Sequence, residues 1–282
     1  MKSGYLSKLP RLLKGLWAVF RVLDFKSFFQ FALLIFFNIR SVFRDKNLGV
    51  PSKKMWGRPC RFRVFGKEIL LDGKYLGYAS EIYARKVYFA LPNFRLKDGD
   101  MVVDLGADGG VFSILAAKFA SRVIAVEAQK DSISELKRNA ELNNCLDRIN
   151  VILGVVGPRS GVVKDNPQFR DISVLEMRKL IGDFKKVDFL KIDIEGSEFD
   201  LFSKKEDWFS KVHYIAMEVH NSILSDDVVI PGGDIQGIVE NLEGAGFDVK
   251  LMDIDGRAVN RIEGNAGYLF AKNLKFGQNE GE

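Results

Sequence analysis

Cysteine is nearly missing from this chain: Cys60 and Cys145 are the only two in 282 residues. They stand far apart and lack the paired spacing of a metal site. A disulfide scaffold and a zinc module are therefore both excluded, leaving two unpaired thiols suited to a reducing compartment. Histidine is as scarce, so imidazole chemistry is confined to His213 and His220. In the apolar N-terminal region the longest charge-free run, Ser27 to Ile39, has 13 residues. About 20 are needed to span a bilayer. No small-residue cleavage site follows that run, which argues against a signal peptide. Internal repeats and low-complexity tracts are missing too. The net charge of +5 is mild: it permits contact with anionic lipid or an acidic substrate but gives no reason to expect nucleic acid as a partner.

What the chain does have is 47% hydrophobic and 28% charged residues, the composition of a globular protein with a large core. At the N-terminus, Leu9, Leu12, Leu13, Leu16, Phe20 and Leu23 follow helical spacing, with Lys8, Arg11, Lys14 and Arg21 largely off that stripe. Phe25, Phe28, Phe29, Ala32, Leu33, Phe36 and Phe37 repeat the pattern. Residues 1–59 are expected to form a helical extension closed by the loop "KNLGVPSKKMWGRP", ahead of a domain over 60–282. Two readings of residues 1–45 stand. The helices pack on the domain or on a partner chain, including a second copy in a homo-oligomer, or they lie on a membrane surface. The first reading places the protein in the cytoplasm, the second at a membrane bordering it.

"CRFRVFGKEILLDG" (60–73) suggests a hairpin turning near Gly66, and Tyr78 to Ala90 reads as a helix. From residue 100 strands and helices alternate. Strand-like runs are Met101–Leu105, Arg122–Glu127, Ile149–Val156, Val187–Ile194 and His213–Val219. Helical stretches are Val111–Ala120, Asp131–Asn143, Ile172–Ile181 and Ser197–Phe202. A last helix, Asp234–Glu243, precedes two strands, Phe247–Ile254 and Gly267–Lys272. The pattern predicts an α/β, doubly wound, mostly parallel sheet with a two-strand return at its C-terminal edge.

Ligands of such sheets bind beyond the carboxyl ends of the strands. "MVVDLGADGGVF" (101–112) reaches the first such end, where Gly106 and Gly110 allow tight turning and close approach of a ligand. Glu127 ends the next strand, where an acid can accept both hydroxyls of a ribose. A dinucleotide would set its pyrophosphate against Asp104 and Asp108, two carboxylates that repel it. S-adenosylmethionine has a ribose, no phosphate and a cationic methionine end, and it suits those acids.

"DLGADGGVFSILAA", "VIAVEA", "ELKRNAELNN", "FLKIDIEGSEFDLF" and "IAMEVH" occur in the order found in FkbM-family methyltransferases, which the chain resembles over about residues 75–275. The resemblance implies a class I, Rossmann-like, seven-stranded S-adenosylmethionine-dependent enzyme. It also implies O-methylation of a hydroxyl on a sugar, glycolipid or other secondary metabolite. By that resemblance Asp104, Gly106 and Ala107 would floor the methionine side and Glu127 would hold the ribose. Asp108, Gly110 and Ala128 border the same turn and are expected to bind the cofactor as well. Asn139 falls in the family's L-x-x-N helix, where a structural role competes with ligand contact. Glu81 and Tyr83 sit where a preceding helix could close over the cofactor. The sequence departs from the family pattern at Asp108, Gly109 and Ala128.

"KIDIEGSE" carries the remaining chemistry. Alternation puts Lys191, Asp193 and Glu195 on one side of a strand end, an expensive cluster unless paired or functional. Glu218 and His220 end the next strand. Methyl transfer to a hydroxyl needs in-line alignment and removal of a proton. Neutral His220 is one candidate base near pH 7, and Asp193 or Glu195 another. The three together could instead hold Mg²⁺ or Mn²⁺. A catalytically idle binding or scaffold protein with the same fold is the alternative from another class, and a nicotinamide oxidoreductase is disfavoured by the charge at the turn.

Overall fold

In a computed structural model the described residues are 16–45, 49–157, 166–182, 184–225 and 228–277. The helical stripe from Leu9 to Leu13 and residues 158–165 lie outside them. The chain divides into two compact units: residues up to Val87 with Arg138–Asn144, and Tyr88–Lys137 with Cys145 onward.

The first unit is built on a hairpin, β1 (Pro59–Val64) and β2 (Lys67–Asp72). Phe65 and Gly66 turn it with φ of 48° and 76°, the left-handed pair a tight hairpin requires. Cys60, Phe62 and Val64 alternate inward along β1. Ahead of the hairpin, Leu23 bridges to Phe62, and the Arg63 amide donates to the Val22 carbonyl at 2.7 Å. Asp24 then starts the helix Phe25–Phe37, its carboxylate accepting from the Ser27 amide at 2.8 Å. This helix buries Ser27 and Phe31, while Phe25, Phe29, Phe36 and Phe37 are exposed. The expected helix Tyr78–Ala90 is broken instead. A helical turn Leu76–Ala79 widens into a π-type turn, Ser80–Arg85, and stops where Lys86 adopts φ 59°. Tyr83 is fully buried edge-on against Phe62. Asn143 completes the unit by hydrogen bonding both the amide and the carbonyl of Leu70, at 2.9 and 2.6 Å. Asn139 accepts from the Asp72 amide at 3.4 Å.

The second unit is built on a large, mostly parallel sheet. Strands β3 (Met101–Leu105), β4 (Arg122–Glu127) and β5 (Ile149–Leu153) run parallel, and β3 also pairs with β8 (Val187–Ile192), which pairs with β9 (Val212–His220). Between β5 and β8, β6 (Val155–Val156) pairs with β7 (Val174–Leu175), and after β9, β10 (Ser222–Ser225) pairs with β11 (Val228–Pro231). The antiparallel edge holds β12 (Phe247–Asp253), β13 (Ala258–Val259) and β14 (Ala266–Asn273). The order is β13-β12-β14-β9-β8-β3-β4-β5. The sheet thus has eight strands rather than seven, the extra one being the two-residue β13 on the outer edge. Two other expectations change. Gly154 interrupts the strand predicted over 149–156, and the predicted helix 172–181 opens with β7 and becomes helical at Met177–Ile181. β3 and β8 are buried at every position, as central parallel strands covered on both faces must be.

Candidate active site

Register builds the centre of the site. Parallel pairing of β3 with β8 sets Asp104 beside Lys191, and the ammonium lies 3.1 Å from Asp104 Oδ1. Asp104 is 0% exposed and Lys191 3%. Asp104 Oδ2 accepts from Ser113 Oγ at 2.6 Å, and Lys191 Nζ donates to the Gly106 carbonyl at 2.6 Å. Burial raises the Asp104 pKa, with Lys191 and Ser113 opposing the rise. Burial would lower Lys191, but Asp104 and Asp193 outweigh it and hold the ammonium above its ordinary range. The stretch that opens this turn has no cation of its own, and the sheet brings one from 87 residues along the chain.

The turn after β3 is closed by its own backbone. The amides of Gly106 and Ala107 both donate to the Val126 carbonyl at 3.0 Å, and that of Gly110 to the Ala107 carbonyl at 2.9 Å. The Asp108 amide donates to Glu127 Oε2 at 2.8 Å. Gly106, at φ 76°, is required by close approach: a Cβ there would run into the Asp193 carbonyl. The group pressed against this glycine is therefore the neighbouring strand end, where the sequence suggested a ligand. Gly110, at φ 86°, packs where a Cβ would meet Leu136 at 2.7 Å. Asp108 itself accepts from Ser132 Oγ at 2.8 Å.

Glu127 is buried and also accepts from the Gln129 amide, at 2.8 Å. Burial raises its pKa, and these two amides oppose the rise. A carboxylate has about four lone-pair positions, so the clamp leaves about two for a ligand's hydroxyls. Ala128 follows, half-buried.

Beyond β8 the chain turns back through Glu195 and Gly196, with φ of 51° and 93°. This turn and the end of β9 bring Asp193, Glu195 and His220 together, each offering one atom within 4.8 Å of the others. Asp193 accepts from the hydroxyl of Tyr88 at 2.9 Å and lies 4.0 Å from Lys191 Nζ. The fully buried Glu198 accepts from the Gly196 amide and stands 3.1 Å from His220 Nδ1. The other ring nitrogen, Nε2, lies 3.7 Å from Glu195 and 3.8 Å from Glu218. Burial works against the charged ring, yet Glu198, Glu195 and Glu218 outweigh it and push His220 up to about 9. With no cation bound, that shift favours the protonated ring at pH 7, whereas the sequence suggests a neutral base. His213, at the opposite end of β9, stacks on Phe276.

Glu81 belongs to the first unit, where it pairs with Arg85 at 2.9 Å. Tyr88, Ser113 and Glu198 were missed as site residues. Only Glu198, an acid beside "KIDIEG", carried a visible signal.

Comparison with known proteins assigns the chain to a family. A family model described as the methyltransferase FkbM domain matches residues 104–249. Ribosomal protein L11 methyltransferase of Syntrophomonas wolfei is 40% identical over 60 residues, 21% of this chain. The match spans 20% of that protein's length. An rRNA methylase from Streptococcus thermophilus has a TM-score of 0.43 at 12% identity, over 68% of this chain and 96% of that one. An S-adenosylmethionine-dependent O-methyltransferase from Thermotoga maritima has 0.42 at 15%, over 76% and 77%. The family match covers more than half of the sequence, and the chain belongs to the FkbM family of methyltransferases.

Proposed function

We propose that this chain transfers the methyl group of S-adenosylmethionine to a hydroxyl of a small-molecule, glycan or lipid-linked acceptor. One observation carries the reading: Lys191 lies between Asp104 at the glycine turn and Asp193 in the carboxylate–histidine cluster, so cofactor side and acceptor side adjoin. S-adenosylmethionine supplies a methyl group on a cationic sulfur. Glu127 has lone pairs left for the ribose diol. Asp104 and Lys191 neutralise one another, so the turn offers no excess positive charge against the sulfonium. Four amides of the turn are spent internally, which leaves a poor cradle for a pyrophosphate and disfavours a nicotinamide dinucleotide.

On the acceptor side Glu195 takes the hydroxyl proton. Its side chain is accessible, and its backbone is held in a conformation that costs about 1–3 kcal/mol for a non-glycine residue. Protonated His220, anchored by Glu198, orients Glu195, and Tyr88 orients Asp193. Residues 59–282 carry 30 Lys and Arg against 35 Asp and Glu, a balance that favours an uncharged acceptor over nucleic acid. The spacing of Asp193, Glu195 and His220 also favours a second reading, in which they hold Mg²⁺ or Mn²⁺ to activate the hydroxyl.

The test incubates the protein with extracts and S-adenosylmethionine labelled in its methyl group, and follows products by mass spectrometry. A labelled methyl ether is expected, with the rate about 10²–10⁴-fold lower in Glu195→Gln. Loss of activity on chelation, restored by Mn²⁺, selects the metal reading. Binding of S-adenosylmethionine without any labelled product selects the idle scaffold.

A further inference from the structure

The first unit exposes an aromatic face. Along the helix Phe25–Phe37, Phe25, Phe29, Leu33 and Phe36 fall on one stripe and are 81%, 52%, 40% and 69% exposed. Phe37 flanks it at 75%. On the helical turn over 16–20, Trp17 and Phe20 stack with ring centroids 5.5 Å apart and are 62% and 44% exposed. Single exposed apolar residues are ordinary, whereas a contiguous run of large rings marks a contact surface.

Charge identifies what the surface contacts. The first 58 residues hold twelve Lys and Arg, with Asp24 and Asp45 as their only acids. Asp24 is committed to the cap of this helix. The remaining 224 residues carry an acidic excess, so the basic charge of the whole protein resides in this segment. Arg21, Lys26, Arg40, Lys53, Lys54 and Arg58 are all exposed. Among the described residues no helix is long and apolar enough to cross a membrane, and this one has 13 residues.

We infer that this face docks on an anionic bilayer surface, with the phenylalanine rings at the acyl boundary and the basic side chains among headgroup phosphates. A short helix with exposed rings and flanking cations has the chemistry of an interfacial anchor. A two-fold contact with a second copy would set basic flank against basic flank. The inference does not depend on which acceptor is methylated.

The test is sedimentation of the full chain with phosphatidylcholine vesicles, with and without phosphatidylglycerol. Binding should be at least about tenfold stronger with phosphatidylglycerol, and should weaken between about 0.1 M and about 0.5 M salt. The triple variant Phe25→Ser, Phe29→Ser, Phe36→Ser changes exposed positions only. It should lose about tenfold or more in vesicle binding while its circular dichroism and S-adenosylmethionine affinity stay the same. Lys26→Glu with Arg40→Glu should weaken the preference for anionic lipid. A wild-type protein that stays in the supernatant with both vesicles overturns the inference, as does a triple variant that sediments like wild type. A wild-type dimer that the triple variant converts to monomer, without vesicle binding, assigns the face to a second copy.

Discussion

The two histidines show how neighbours set the chemistry of one side chain. Burial, Lys272 and Lys97 push His213 down to about 4, whereas the carboxylates around His220 push it up to about 9. An NMR titration should find His213 neutral at pH 5.5 and His220 still protonated at pH 8 in metal-free protein. The two shifts act oppositely on stability. His220 binds its proton more tightly folded than unfolded, so its contribution is fully present below about 6.5 and is lost as pH rises through about 9. His213 is the reverse: the unfolded chain takes up the proton first, so stability falls as pH drops from about 6.5 toward about 4. The gap in thermal midpoint between wild type and His220→Gln should therefore shrink above pH 8. A gap independent of pH would contradict the assignment. Gly106 is the other position where one atom decides. Gly106→Ala combines a left-handed φ with a collision against the Asp193 carbonyl, and should cost at least about 1–3 kcal/mol in a denaturant titration.

At the scale of elements, the pairing of β3 with β8 explains why Asp104 can be buried at all. Lys191→Met would leave that carboxylate without its counter-ion and should cost about 3–5 kcal/mol, measured by chemical unfolding. Adding Asp104→Asn should recover part of the loss, because the uncompensated charge is then gone. This pair also marks what could be read in advance. β3 and β4 were legible to the residue, because strands buried on both faces are continuous apolar runs closed by an acid. Asp193, Glu195, Glu218 and His220 were legible as charges at the tails of such runs. Neither the partner of Asp104 nor the roles of Tyr88 and Ser113 could be read, since they depend on register and on which helix covers which strand. Periodicity predicts single helices over 78–90 and 172–181, and the structure breaks both. Lys86 in a left-handed conformation and the short β6–β7 pairing override their periodicity.

For the whole molecule, the charge is divided along the chain, basic in the first 58 residues and acidic afterwards. The helix Phe25–Phe37 and the segment before it are part of the first unit's fold, through Leu23, Asp24 and Ser27 against β1. Removal of residues 1–45 would therefore remove the segment that hydrogen bonds along the outer side of β1, and surface substitutions probe the exposed face more cleanly. The central claim is that the turn from Asp104 to Glu127 takes S-adenosylmethionine, and calorimetric titration tests it most directly. S-adenosylmethionine should bind saturably and NAD should not. Glu127→Ala should lower the affinity at least about tenfold with the fold intact, since each charge-assisted hydrogen bond contributes about 1.5–3 kcal/mol. Equal affinity in wild type and Glu127→Ala, or binding of NAD in place of S-adenosylmethionine, would contradict the account.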